Sequence, residues 1–379
     1  MAKILIDARM YGLENSGIGR YTINLLENLA KKDVQNSYVV LLKQKYFNEV
    51  NFPKNWKKVL TNISHYSVKE QMLLPHLIQK EKPDLVHFLH LNVPLGYRGK
   101  YVVTFHDLIM HRQGIKATTL PLPFYYAKRV PYKVIAKNAA LKSVIIITPS
   151  FAVKNEVSSY YKIPKEKIKV TYEGISKKFK TDSRDKGELE TLSEYGLKAN
   201  EYFFYIGNAY PHKNLEIAVK AVKKYNLENN KNFKFAIGGA RDVFRNRLEE
   251  YVTKNEAKEF CHILGYIPDD ALPILYRNAI GFIYPSLSEG FGLQGLEAIS
   301  SGTLLLASDI PVFREIYKDN AIYFDPFSVD SLVTALAKSI NLQVNEKANI
   351  IEKANAYIKR YSWEKTAEDT LKIYREALQ

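Results

Sequence analysis

Cysteine and long apolar runs are both scarce in this chain of 379 residues. Its one cysteine, Cys261, excludes a disulfide within the chain. Apolar runs such as Val144–Ile147 are a few residues long, whereas a membrane-spanning helix needs about 20. The first apolar run ends at Asp7, so a signal-peptide hydrophobic region is not predicted. We therefore expect a cytoplasmic protein that is stabilised by packed cores.

Composition and charge narrow the class of protein further. Hydrophobic residues make up 46% of the chain and charged residues 25%, which is typical of a globular protein and excludes a disordered or coiled-coil chain. The net charge of +15 lies in the first half: residues 1–180 hold 30 Lys+Arg against 12 Asp+Glu, and the remainder holds 25 against 28. This asymmetry predicts a polyanionic partner, either nucleic acid or an anionic membrane, unless it is simply a lysine-rich solvated surface.

One stretch of the basic half combines aromatic and cationic side chains. PLPFYYAKRVPYKVIAK (121–137) interleaves them, and the residues of interest are Tyr125, Tyr126, Lys128, Arg129 and Lys133. At a membrane interface, aromatic side chains typically lie at the level of the lipid headgroups, and cationic side chains beside them bind the lipid phosphates. An ordinary helix with its aromatics in the core and its lysines in water fits the same pattern.

Short β-rich runs alternate with helical patterns along the whole chain. Six strands precede the polar segment 176–200, where we place a linker, and six follow it. This alternation predicts two doubly wound α/β domains of about 150 residues or more each. Ligands of such sheets bind beyond the carboxyl ends of the strands, so the loops after the strands are the candidate sites.

Two loops of the first half are candidates. After the strand predicted at Lys3–Ala8, Gly17 and Gly19 stand at a helix start, where bare backbone can approach a phosphate. A plain tight turn explains the same glycines, and the third glycine of a dinucleotide fingerprint is missing. His106 precedes an aspartate after the strand predicted at Tyr101–Phe105 and is either catalytic, a ligand for a sugar hydroxyl, or structural.

Two loops of the second half are more informative. Lys213 follows the strand predicted at Tyr202–Gly207 and stands ahead of a helix, where it can complete a diphosphate site. After the strand predicted at Gly281–Pro285, Gly290 and Gly292 leave amides open at another helix start. Two carboxylates, Glu289 and Glu297, bracket this anion cradle. They suit hydroxyl groups on either side of a diphosphate, as in a nucleotide-sugar, although exposed surface carboxylates remain the alternative.

SEGFGLQGLE, with seven residues between its two glutamates, resembles the retaining glycosyltransferases of family 4. The loops NSGIGRYTINLL, VTFHDL, ITPSFAVKNEV and YIGNAYPHKNL match the family in the same order. The resemblance implies the GT-B architecture, an α/β fold of two tandem Rossmann-like domains with an interdomain cleft. It implies an acceptor-binding domain at 1–180, a nucleotide-sugar domain at 181–360, and a C-terminal helix at 361–379 that crosses back.

The resemblance also implies roles for individual residues. Glu289 would contact the donor sugar, Lys213 would neutralise the diphosphate, and His106 would hold the sugar near its 6-hydroxyl. Glu297 would bind the ribose. The other implied donor-binding residues are Gly17, Gly19, Asn208, His212, Ile267, Gly290, Phe291, Gly292 and Leu293. The family usually has an arginine immediately or shortly ahead of the lysine, where this chain has His212 and Asn208, so we expect weaker or pH-dependent diphosphate binding.

The expected reaction needs neither a metal nor a cofactor, because no metal-site spacing and no D-x-D sequence occurs. The sequence is most similar to the mannosyltransferase branch that builds bacterial surface polysaccharide, which favours GDP-mannose as donor. UDP-sugars, an epimerase and a catalytically silent paralogue are the alternatives. A saccharide or lipid-diphosphate-linked acceptor and peripheral binding to the inner face of an anionic membrane would explain the basic half. Nucleic acid is not an expected partner, because carboxylates beside the cradle would repel a polyanion.

Overall fold

The computed structural model describes residues 1–112, 121–179, 187–239 and 243–379. The chain divides into two compact units, Met1–Gly174 with Ser362–Gln379, and Ile175–Tyr361. The expected domain boundary at residue 180 lies outside the described residues. The first unit thus combines the start of the chain with its last helix.

The first unit is built on a parallel sheet of seven strands in the order β3-β2-β1-β4-β5-β6-β7. The strands are β1 (Lys3–Asp7), β2 (Ser37–Leu42), β3 (Trp56–Leu60), β4 (Leu85–Phe88), β5 (Tyr101–Thr104), β6 (Ile145–Thr148) and β7 (Ile168–Val170). The helices are α1 (Ser16–Lys32), α2 (Gln44–Phe47), α3 (Val68–Glu81), α4 (Ile109–Arg112), α5 (Leu122–Lys142) and α6 (Phe151–Tyr161). Crossover helices of this kind cover both faces of the central strands, and β4, β5 and β6 are fully buried.

Apolar strand residues form the core of this unit. Leu5, Val86, Val103 and Ile146 come from four neighbouring strands and are fully buried. Runs such as IIIT in β6 carry β-branched residues on both faces, as expected where helices cover both sides of a sheet. The central strands therefore hold the loops at their carboxyl ends in fixed positions.

The last helix, α15 (Trp363–Leu378), packs into the first unit. The Tyr374 hydroxyl lies 2.6 Å from Nδ1 of His87 in β4, whose Nε2 lies 2.8 Å from the Thr104 hydroxyl in β5. The Thr366 hydroxyl donates to the Tyr172 carbonyl at 2.6 Å. Burial lowers the pKa of His87 to about 3, so the imidazole is neutral and serves as a hydrogen-bonding bridge.

The second unit contains a parallel sheet of six strands in the order β10-β9-β8-β11-β12-β13. The strands are β8 (Tyr202–Ile206), β9 (Lys234–Gly238), β10 (Cys261–Gly265), β11 (Gly281–Tyr284), β12 (Leu305–Ser308) and β13 (Ile322–Phe324). The helices are α7 (Glu188–Glu194), α8 (Leu215–Asn229), α9 (Val243–Lys254), α10 (Leu272–Arg277), α11 (Leu293–Ser300), α12 (Pro311–Tyr317), α13 (Val329–Asn341) and α14 (Val344–Ile358). Its strand order places β8 and β11 side by side, and both candidate loops follow these two strands.

Two parallel α/β sheets were expected, and the structure confirms them. The prediction of six strands in the first half was wrong by one, because β3 was missed. WKKVL has two central lysines and lies at the sheet edge, where Lys57 reaches Glu81 and Lys58 donates to the Phe47 and Val50 carbonyls. Helix α7 lies within the segment expected to be a linker.

Candidate functional site

The loop between β11 and α11 depends on glycine for its shape. Gly292 has a φ of +99°, a left-handed conformation that L side chains rarely adopt. A Cβ atom there would come within 2.3 Å of the Tyr317 hydroxyl, which donates to the carbonyl of Gly292. The loop thus needs glycine at this position, directly before the first residue of the helix. The predicted anion cradle lies at this helix start.

Glu289 lies in the same loop and forms an ion pair with Lys213. Oε1 of Glu289 is 2.6 Å from Nζ of Lys213 and accepts a hydrogen bond of 2.6 Å from the Ser286 hydroxyl. Both charged side chains are about 10% exposed. Burial by itself would raise the pKa of Glu289, but the Lys213 charge and the two hydrogen bonds hold it below its usual range. The carboxylate is therefore ionised at neutral pH.

Lys213 is held by a short 3-10 turn, Pro211–Lys213, between β8 and α8. Its amide donates to the Tyr210 carbonyl at 2.8 Å, and the amide of Leu287 donates to the His212 carbonyl at 2.8 Å. That second bond ties the β8 loop to the β11 loop. The structure thus brings together two residues that lie 76 positions apart in sequence, for which the family resemblance implies one nucleotide-sugar site.

His212 occupies the position before this lysine. Burial and the neighbouring Lys213 charge lower the pKa of His212 to about 4. The imidazole is therefore neutral at pH 7 in the ligand-free protein and adds no positive charge to the loop. His212 therefore lacks the charge that an arginine would have at this position. The expected effect on diphosphate binding stays a prediction.

The other predicted donor residues of the second unit lie around the same strand ends. Glu297 is buried in α11 and accepts a hydrogen bond of 3.5 Å from the Tyr276 hydroxyl. The Asn208 side-chain oxygen is buried and has no hydrogen-bond partner among the described residues. Ile267 is buried against Gly238 at the end of β9. Among the described residues, no group of His, Cys, Asp and Glu side chains is arranged to hold a metal ion.

His106 of the first unit follows β5 and is nearly buried. Its Nε2 lies 2.9 Å from the Leu89 carbonyl and Nδ1 lies 3.7 Å from Oε1 of Glu173. Its ring packs edge-on against Tyr21 at 4.7 Å. Glu173 and Tyr21 were not predicted as site residues, because they lie 67 positions after and 85 positions before His106 in sequence.

Gly17 and Gly19 differ although both lie in the first turn of α1. A Cβ at Gly19 would come within 1.9 Å of the Gly12 carbonyl oxygen, so this glycine is required by backbone packing. A Cβ at Gly17 would meet no atom within 4 Å in the described part of the chain. Gly17 is therefore the glycine that leaves open backbone at the helix start.

The predicted aromatic and basic stretch forms most of α5. Phe124 and Tyr126 are 64% and 51% exposed, whereas Tyr132 packs against the core, so the alternative in which the aromatics fill the core holds only for the later part of the stretch. The Arg129 guanidinium lies over the Tyr125 ring at 5.2 Å and donates to the His111 carbonyl at 3.1 Å. Helices of the described ranges are all too short or too polar to cross a bilayer.

A buried ionic network near the ends of β1 and β4 was missed by the sequence analysis. The Arg9 guanidinium is fully buried and lies 2.7 Å from both Asp7 and Glu70. The second Glu70 oxygen accepts hydrogen bonds from the Tyr66 amide and from the Asn92 side chain. Arg9 lies two positions after Asp7, but its burial was not predicted, and nothing in the segment around Glu70, 61 positions away, predicts the pair.

The chain is similar to known proteins along almost its whole length. The chain is 26% identical to the O-antigen chain mannosyltransferase RfbU of Salmonella typhimurium over 95% of this chain and 96% of that protein. It is 27% identical to the O-antigen chain mannosyltransferase B of Escherichia coli, with the same shares covered. Among solved structures, HepE of Anabaena in complex with UDP-glucose superposes with a TM-score of 0.77 at 15% identity, covering 99% of this chain and 100% of that one.

Two protein families match successive parts of the chain. Residues 15–179 match the family described as Glycosyltransferase Family 4, and residues 192–357 match Glycosyl transferases group 1. Together these matches span most of both units, and the sheets have the architecture of the solved GT-B enzymes. The chain therefore belongs to the family 4, group 1 glycosyltransferases and is an enzyme of the GT-B fold.

Proposed function

We propose that this enzyme transfers mannose from GDP-mannose, with retention of configuration, to a saccharide or lipid-linked acceptor in the synthesis of a surface polysaccharide. The observation that carries the proposal is the Lys213–Glu289 pair beside the glycine loop that begins α11. Mannose and the pathway are favoured by two relatives named as O-antigen chain mannosyltransferases.

In this proposal the second unit binds the donor. Lys213 and the amides at the start of α11 stabilise the leaving diphosphate, so the reaction does not require a metal. Glu297 binds the ribose, and Glu289 orients the sugar and stabilises positive charge that develops on it. Glu289 suits this role because its pKa is held low, which keeps it ionised.

The bond changes follow from retention. The bond between the anomeric carbon and the phosphate oxygen breaks, and the acceptor hydroxyl forms the new bond on the same face. The acceptor proton passes to the departing diphosphate, so no side chain is assigned as a general base. Donor binding requires Lys213 to give up its 2.6 Å contact with Glu289, wholly or in part, and to turn to phosphate oxygens.

The first unit binds the acceptor, and α5 contacts an anionic membrane surface. The support is a row of exposed apolar side chains four residues apart, Leu122, Tyr126, Val130 and Val134, with Lys133 and Lys137 on the same side of the helix and Lys128 on the opposite side. Each cation near an anionic lipid surface contributes about 1 kcal/mol.

Vesicle sedimentation tests the membrane part. We expect K133E/K137E to lower binding to vesicles with anionic lipid, most strongly at low salt. The charge-matched control K220E/K223E on α8 should bind as the wild type does. Equal sedimentation of the wild type with neutral and anionic vesicles would refute membrane association.

Thermal unfolding with GDP, UDP, ADP and TDP tests the donor. A nucleotide that binds the native state at about 100 times its dissociation constant adds about 2.7 kcal/mol of stability. A shift with GDP alone supports GDP-mannose. A shift with UDP alone moves the donor to UDP-sugars, which the likeness to an enzyme solved with UDP-glucose keeps as the second candidate. Absence of any shift favours a silent paralogue, in line with neutral His212 in place of an arginine.

A further inference from the structure

Tyr66, in the loop after β3, has a backbone conformation that a bulky residue rarely adopts. Its φ is +59°, in the left-handed region, and its side chain is 53% exposed. A conformation of this kind persists when its surroundings hold it, and such positions concentrate at functional sites. Tyr66 also lies at the carboxyl-end edge of the first sheet, where ligands of α/β sheets bind.

The buried Asp7–Arg9–Glu70 network holds Tyr66 in place. The Tyr66 amide donates to Glu70 at 2.8 Å, and Glu70 in turn pairs with Arg9 at 2.7 Å. Arg9 also donates to the carbonyl of Ile63 in the same loop at 3.2 Å. The loop that carries Tyr66 is thus held by two contacts, one from Glu70 and one from Arg9, and both of these side chains are fully buried. These contacts determine the conformation of the loop.

Two histidines lie beside the exposed Tyr66 ring. The Tyr66 hydroxyl is 3.3 Å from Nε2 of His90, and their rings meet edge to face at 5.9 Å. The His65 side chain is 10% exposed, and both its ring nitrogens are buried, with Nδ1 3.4 Å from Oε1 of Glu70, so this imidazole supports Glu70 rather than a ligand. Burial lowers the pKa of His90 to about 3, so at neutral pH it offers one donor and one acceptor.

The charges around this group select against an anionic ligand. Asp7 and Glu70 are neutralised only in part by Arg9, and the Asp107 carboxylate also acts on Tyr66. A phosphate beside the Tyr66 hydroxyl would be repelled by the Glu70 carboxylate, which already acts on that hydroxyl. A sugar ring is neutral, presents CH groups to an aromatic face and offers hydroxyls to imidazole nitrogens.

We propose that Tyr66 and His90 form a subsite for a sugar ring of the acceptor saccharide. This inference rests on the proposed function, because it assigns the acceptor to the first unit. The Tyr132 ring of α5 lies 6.3 Å from the Tyr66 ring. The subsite therefore adjoins the helix whose cations are proposed to bind lipid phosphate. In a lipid-diphosphate-linked saccharide the sugar is likewise next to the diphosphate, which is next to the lipid.

The test is ligand-observed NMR with methyl glycosides of mannose, galactose, rhamnose and N-acetylglucosamine. We expect the wild type to bind at least one of them and Tyr66→Gly to raise its dissociation constant at least about tenfold. Glycine favours a positive φ, so the melting temperature of Tyr66→Gly should be unchanged or raised. Tyr66→Phe keeps the ring and should lose less affinity, and Tyr160→Ala, which removes an exposed tyrosine of α6, should lose none.

Failure of the subsite and failure of the proposed function give different results. The subsite is refuted if the wild type binds none of the four glycosides, or if Tyr66→Gly binds as tightly as the wild type. The proposed function is refuted if no nucleoside diphosphate stabilises the wild type. Glycoside binding through Tyr66 in a protein that binds no nucleotide would uphold the sugar subsite and reject the transferase.

Discussion

Replacing Lys213 by alanine tests the electrostatic description of the donor loop without any ligand. The change leaves the Glu289 carboxylate about 10% exposed with its cation removed. Loss of one partner of a buried ion pair costs about 3 kcal/mol or more, since the remaining charge is no longer compensated. We expect a loss of about 3 kcal/mol in the unfolding free energy of the second unit at pH 7.5.

The loss should depend on pH in a defined direction. In the wild type the pKa of Glu289 lies below that of an unfolded carboxyl, about 4.3, so its stabilisation is present above that pH and is lost as pH falls through the folded-state value. In Lys213→Ala, burial becomes the dominant influence and raises the pKa above the unfolded value. Protonation then relieves the penalty, and the difference between the two proteins should shrink as pH falls toward 4.3.

Urea unfolding at pH 7.5, 6 and 5 measures this difference. Both tryptophans, Trp56 and Trp363, lie in the first unit, so tryptophan fluorescence reports that unit while circular dichroism reports both. The double variant K213A/E289Q removes the isolated charge and should recover part of the lost stability. The reasoning is refuted if the double variant has the same unfolding free energy as Lys213→Ala. It is also refuted if the stability lost in Lys213→Ala does not depend on pH.

Further predictions concern single residues of the site. Gly17→Ala should raise the melting temperature, because alanine in a helix is favoured over glycine by about 1 kcal/mol and the added methyl meets open space. If Gly17 lies against the diphosphate, calorimetry should show that the same variant binds GDP more weakly. Gly292→Ala should instead destabilise the second unit by about 1–3 kcal/mol through the clash with Tyr317, measured by urea unfolding, and a neutral result would contradict the loop geometry. His212→Arg adds a permanent charge beside the diphosphate, and the GDP dissociation constant should fall several-fold in calorimetric titration. Glu289→Ala should lower the turnover of GDP-mannose more than about tenfold, or about 1.4 kcal/mol of barrier, with nucleotide binding as its control.

The positions of the four candidate loops could be predicted well, because strands and helices are recognised from residues that are close together in sequence. The strands before the four candidate loops were predicted to within one residue of β1, β5, β8 and β11. Lys213 and Glu289 were assigned to one site through the resemblance to the family 4 glycosyltransferases, whereas the adjacency of β8 and β11, which brings their loops together, was not predicted. Their direct contact could not be predicted, because it depends on the register of two turns and on the conformation at Gly292.

Contacts between distant segments were not predictable from one sequence. Glu70 reads as an ordinary surface glutamate of a helix, since its neighbours Lys69 and Gln71 are polar. Its burial follows from Arg9, which reaches it from the loop after β1. The same applies to Glu173 beside His106: the two segments meet because β5 and β6, and β6 and β7, pair in the sheet.

The position of α15 has a consequence for biosynthesis. This helix belongs to the first unit, but the ribosome makes it after all of Ile175–Tyr361. When the second unit has been translated in full, His87 still lacks the Tyr374 hydroxyl, and the side of the first sheet that α15 covers is still open to water. Domains usually fold in the order of their synthesis. Here the unit that begins first is completed after the second, so the apolar surface that α15 covers lacks its partner throughout the synthesis of the second unit.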